Sequence, residues 1–144
     1  MILEFSDWMF FADVENTKSY SAQELAEHCT CGYCENFYKV IDKTYPNLRY
    51  FLSRFGADIE APDSLIPITS ELYQASYAIQ GKIIRKGSEP IWVHDVAITM
   101  EDTEEPDWFL IQLGVMNLPW VLDQDPDSIP KPYSLSDMIA DIKH

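Results

Sequence analysis

The spacing of apolar residues changes from a helical period to strict alternation at Pro62, and that change limits the folds open to the chain. Before Pro62, Cys34, Phe37, Tyr38, Ile41 and Tyr45 recur at steps of three and four, which places them on one helix face. Leu48, Phe51, Leu52 and Phe55 mark a second such face. Pro46 lies between the two, where proline ends one helix or opens the next at its first turn. Gly56 falls where a left-handed C-terminal cap belongs. The spacing predicts a helix pair, or one helix broken at Pro46, over 32–55.

Beyond Pro62 apolar and polar residues alternate. Tyr73, Ala75, Tyr77, Ile79, Gly81 and Ile83 are interleaved with Gln74, Ser76, Gln80 and Lys82, a strand with one buried and one wet face. A turn follows at 85–90. Trp92, Val96, Ile98 and Met100 alternate in the next predicted strand, and Phe109, Ile111, Leu113 and Val115 in a third. Near the start, Leu3, Phe5, Met9 and Phe11 read as one side of a single strand. Ser21 and Glu24 have the spacing of a capping box opening a short helix. Near the end, Ser134 caps a short helix carrying Leu135, Met138, Ile139 and Ile142. The expectation is one α+β domain over 1–144, with a helical part at about 21–56 and a strand meander at about 65–122. A C-terminal loop and short helix fill 123–144. The sheet is antiparallel, of about four strands, with the helix pair and short helices packed on one face.

With 47% hydrophobic and 13% aromatic residues, 144 residues support one core, so disorder is a poor reading. No apolar run approaches the roughly 20 residues of a membrane span, and the first residues, acidic rather than basic, are not expected to act as a cleavable leader. Cytoplasm is the expected compartment. The net charge of −14 repels nucleic-acid backbones and anionic membranes and suits a basic protein partner, as in immunity proteins against basic toxins. The plain alternative is solubility. Glu101, Asp102, Glu104, Glu105 and Asp107 are the place for such a partner to dock, against the plain reading of a solvated hairpin tip.

The chain's three cysteines fall within six residues, as His28-Cys29-Thr30-Cys31-Gly32-Tyr33-Cys34, which excludes bridges between distant segments. Burial is the leading expectation: free cysteines pack as small hydrophobes, and Cys34 shares the stripe of Tyr38 and Ile41. Metal comes second. Thiolates and imidazole suit zinc, and Cys31 and Cys34 at a helix start direct two sulfurs toward one ion. Cys29 would be the third ligand, with His28, His94 or an acid as the fourth. Adjacent His28 and Cys29 reach one ion only awkwardly, and the second pair of ligands of strong zinc signatures is missing. Redox is third. Cys31 and Cys34 have oxidoreductase spacing, but a helix rather than a strand precedes them.

Other candidates weigh less. Asp123, Asp125 and Asp127 copy the opening of a calcium loop that then fails at Ser128 and Ser134. His94 reads as a partly buried strand histidine on the side of Trp92. Trp92, Trp108 and Trp120 can line a ligand pocket or a sugar-binding face, with core packing the plainer reading. No nucleophile elbow or phosphate loop is present.

The run Cys29-x-Cys31-x-x-Cys34-x-Asn36-Phe37, then Phe55-Gly56-x-Asp58 and Pro62, then Leu118-Pro119-Trp120-Val121-Leu122-Asp123, resembles a group of small bacterial proteins with no assigned activity. The likeness covers roughly 28–123 and implies that helix pair and strands form one unit, without implying a reaction. The functional expectation is a non-enzymatic acidic protein-binding module, with a zinc or thiol-redox protein built on the cysteines as the alternative.

Overall fold

Two tight turns decide which side chains reach the core. A computed structural model describes residues 1–27 and 29–129. In it the predicted first strand is a hairpin of β1 (Ile2–Phe5) and β2 (Trp8–Ala12), paired Phe5 to Trp8 and Leu3 to Phe10. The two-residue turn at Ser6 and Asp7, with Ser6 at φ +55°, reverses the parity of the alternation. Leu3, Trp8, Phe10 and Ala12 are buried, whereas Phe11 is 43% exposed, contrary to the single-strand reading.

α1 (Val14–Ala26) follows at once, capped by Asp13, whose carboxylate accepts from the Asn16 N–H at 3.1 Å. The capping box at Ser21 is therefore corrected. Ser21 lies inside the helix, buried, and its hydroxyl accepts from the Asp58 N–H at 3.3 Å. α2 (Gly32–Thr44) and α3 (Pro46–Ser53) form the expected pair, broken at Pro46. α3 closes with Gly56 N–H donating to Ser53 O and Ala57 N–H to Leu52 O, the two bonds of a Schellman cap. Gly56 has φ +91°, and a Cβ there would collide with the Val14 carbonyl oxygen.

The remaining strands are β3 (Ser64–Pro67), β4 (Leu72–Arg85), β5 (Ile91–Val93), β6 (Val96–Asp102) and β7 (Trp108–Asn117). All pairings among the described residues are antiparallel, giving seven strands there rather than about four, in the order β1-β2-β4-β7-β6-β5, with β3 also on β4. The order is not that of a simple meander, because β7 returns between β4 and β6. The predicted strand at 92–100 breaks at a second two-residue turn, His94 and Asp95, with His94 at φ +53°. His94 is thus exposed on a turn, not half-buried in a strand. Trp92 is turned to the outer face, 61% exposed. A register shift opposite Gln74 likewise leaves Val115 exposed and puts Met116 in the core.

α2 and α3 cover one face of the sheet. Under α3, Phe10, Phe55 and Phe109 meet with ring centroids 5.4–6.2 Å apart. α1 buries only Thr17 and Ser21 and works through its polar groups. β2 pairs with β4 at 81–85 and β3 at 73–76, so the edge between them lacks a strand partner among the described residues. There Gln80 O accepts from the Asp13 N–H at 2.7 Å, and Gln80 N–H donates to Thr17 Oγ1 at 3.1 Å. The C-terminal helix expected from Ser134 lies outside the described residues, as does His28. No helix among the described residues is long and apolar enough to cross a membrane.

Replacing Gly56 with Ala should lower unfolding stability by about 2 kcal/mol or more, since it adds both left-handed strain and a clash with backbone. Urea denaturation of the variant with an unchanged midpoint would refute this account of the cap.

Candidate metal centre

α2 begins where the cysteines are densest. Cys31 is the residue before its first turn, at φ −65° and ψ 163°, and Cys34 lies one turn on, buried on the core face. Cys29 lies in the link from α1, exposed, and Cys31 is half-buried. The chain folds back so that the Cys31 N–H donates to Cys29 Sγ at 3.4 Å. All three sulfurs lie within 4.8 Å of one another, close enough to hold a metal ion.

The three thiols are not equivalent. Burial works to raise the Cys29 thiol, but the Cys31 N–H and the Cys34 and Cys31 thiols donating to it outweigh this and hold it below the usual cysteine range. Burial pushes the Cys34 thiol far above that range, and its bonds to Cys29 and Cys31 add to the effect. Burial, then the charges of Cys34 and Cys29, raises the Tyr38 phenol. Burial is therefore the fate of Cys34 alone. As a redox pair, Cys31 and Cys34 follow helix and loop rather than a strand, as expected from the sequence.

The chain from 118 to 129 wraps the start of α2. Fully buried Asn36 holds it from both sides: Nδ2–H donates to Pro119 O at 3.0 Å, and Oδ1 accepts from the Val121 N–H at 2.8 Å. Nδ2 also donates to Tyr73 Oη at 3.3 Å. Tyr33 Oη–H donates to Pro126 O at 2.8 Å, and its ring meets Trp120 at 5.5 Å. Ile129 packs where a Gly32 side chain would stand. Asn36 is the residue that sequence reasoning left without a role. Its partners are 37 to 85 positions away, so only a polar residue on an apolar helix face hints at it.

The other candidates lie elsewhere. His94 accepts from Asn47 Nδ2 at 3.1 Å and its ring is 6.5 Å from that of Tyr45. Tyr45 follows the far end of α2, about 16 Å from Cys34 at 1.5 Å per residue, so His94 is no ligand of this cluster. Asp125 caps a 3-10 turn through the Asp127 N–H at 3.0 Å. Of the acids at 101–107, Asp102 pairs with Lys86 at 3.5 Å and Asp107 with Lys82 at 3.4 Å. Glu101 accepts from Gln112, while Glu104 and Glu105 are exposed.

Fold and cluster define an α+β protein with an antiparallel seven-stranded sheet and a trio of convergent thiols at a helix start. Comparison of the chain with protein-family models, curated proteins and solved structures finds no match.

In metal-free, reduced protein, iodoacetamide should modify Cys29 first and Cys34 last, because exposure and thiolate character both fall in that direction. Peptide mass spectrometry over a time course reads the order, and early labelling of Cys34 would overturn the assignment.

Proposed function

We propose that this chain is a metal-binding protein in which Cys29, Cys31 and Cys34 hold one zinc ion as a structural staple. The observation that carries the reading is the gathering of three sulfurs within 4.8 Å. Thiolates bound tetrahedrally at about 2.3 Å from zinc lie roughly 3.8 Å apart, so small side-chain rotations close the site. His28 is the fourth ligand proposed from the sequence. Zinc there would fasten the α1–α2 link to the first turn of α2. A reducing cytoplasm, where thiols stay unlinked, is the compartment that fits.

Native mass spectrometry on protein purified under reducing conditions without chelator should find one zinc per chain, absent from Cys31→Ser and Cys34→Ser and retained less well as pH falls and thiolates protonate. Chelation should lower the melting temperature. Protein that binds no zinc and melts unchanged with chelator would sink the proposal.

The acidic hairpin supports a second reading, docking of a basic protein. Its two lysine pairs are 59–68% exposed on each side, too solvated to neutralise the tip, and the Glu104 and Glu105 carboxylates have no ion-pair partner among the described residues. A cationic peptide should bind at low salt, weaken as the Debye length shrinks, and bind less to the Glu104→Lys, Glu105→Lys double variant. Equal binding to both proteins, read by calorimetry, would remove this surface from consideration.

A further inference from the structure

Among the described residues α2 and α3 leave the outer face of the sheet uncovered, with Tyr20 of α1 meeting Trp108 near one end, and its central strands carry an ordered set of uncharged polar groups. Ser64, Ser76, Gln112 and Thr99 stand opposite one another across β3, β4, β7 and β6, a single row four strands wide. All four are half-exposed. Only Gln112 has a side-chain hydrogen bond among the described residues, Nε2–H to Glu101 Oε2 at 3.3 Å.

Beside this row the floor drops. Gly114, in the bulge opposite Gln74, packs so closely on Ala97 that a Cβ would lie 2.8 Å from the Ala97 carbonyl oxygen. With only glycine and alanine there, a hollow of about 440 Å³ opens between the polar row and the side chains of Ile66 and Gln74. Trp92 is the cross-strand partner of Ala97 on this same face, one strand beyond the residues that line the hollow. It is 61% exposed and has no ring or hydrogen-bond partner among the described residues. The tight turn at His94 is what sends this tryptophan outward.

We infer that this hollow is a binding site for a neutral saccharide. In a chain of net charge −14, no charged residue among the described ones lines it, which favours an uncharged ligand over an anion or a cation. Hydroxyl and amide side chains both donate and accept, matching the hydroxyls of a sugar, which do the same. An exposed indole offers a flat apolar platform to the C–H face of a pyranose, with its own N–H free to bond. Few polar groups converging on a largely uncharged concavity is the usual form of a small-ligand site. A peptide would add to an unpaired strand edge, whereas these groups stand on the face of paired strands.

The test is an NMR titration of the ¹⁵N-labelled full chain with maltohexaose, cellohexaose and N-acetylchitohexaose, with polygalacturonate as the anionic comparison. At least one neutral glycan should shift the amides of Ala97, Thr99, Gln112 and Gly114 and the Trp92 indole N–H. Trp92→Ala should weaken that binding by about tenfold or more, as truncation of a central aromatic contact does. Thr99→Val should weaken it less, and neither exposed-face change should alter thermal unfolding. No shift on this face with any of the three up to about 10 mM would overturn the site. So would binding unaffected by Trp92→Ala, or tighter binding of polygalacturonate.

Discussion

The strict alternation of β4 is the constraint on which the rest of the molecule depends. Its 14 residues span about 46 Å and take β7 along one edge, β3 and β2 along the other. On the inner face Tyr73, Ala75, Tyr77 and Ile79 are no more than 5% exposed. The two tyrosines carry hydroxyls into that core, and both are satisfied: Tyr77 Oη–H donates to Ile59 O at 2.6 Å and Tyr73 Oη–H to Ser70 O at 3.3 Å. Left unpaired, each would cost about 1–3 kcal/mol. A slip of one residue would bury Gln74, Ser76 and Gln80 instead, so the register admits no alternative.

That alternation is a local property, and it was legible in the sequence along with the helix pair, the break at Pro46 and the cap at Gly56. The two hairpin turns were not. Two-residue turns announce themselves through glycine or asparagine at positive φ, and here Ser6 and His94 adopt it instead. Each turn shifts parity by one, so counting by twos across it assigns the wrong face to Phe11 and Trp92. α1 escaped for a different reason. Its buried residues are Thr17 and Ser21, which bond to β4 and to the Asp58 loop, so its start has no apolar stripe to reveal it.

At the cysteines, proximity was legible and inequality was not. A Cys-x-Cys-x-x-Cys run at a helix start can hardly keep its sulfurs apart, whatever the fold around it. Which thiol is buried depends on how α2 is rotated against the sheet, and this places Cys34 with Phe37 and Ile41 in the core. The wrap of 118–129 over the helix start is wholly non-local. Only the fold brings Pro119 and Val121 to Asn36, and a fully buried amide needs such partners to avoid the cost of an unmet hydrogen bond.

The distribution of burial gives the cluster a physical reason. From Ala22 to Thr30 every described residue is exposed or half-exposed, and α1 brings no apolar side chain from this stretch into the core. Fixing each such residue costs about 1–2 kcal/mol of backbone entropy, which hydrophobic contact here does not offset. Three converging thiols would supply the alternative means of ordering the link if they take the proposed ion, since metal binding is itself folding free energy where ligands come from chain that hydrophobic contact does not hold. The outer face of the sheet follows the opposite logic. Its strands are already held by pairing and by the aromatic core beneath, so small polar side chains at Ser64, Ser76 and Thr99 stay uncommitted among the described residues at little cost to stability. A rigid sheet presenting uncommitted polar groups is suited to recognition, whereas a loose link drawn together by sulfur is suited to being held.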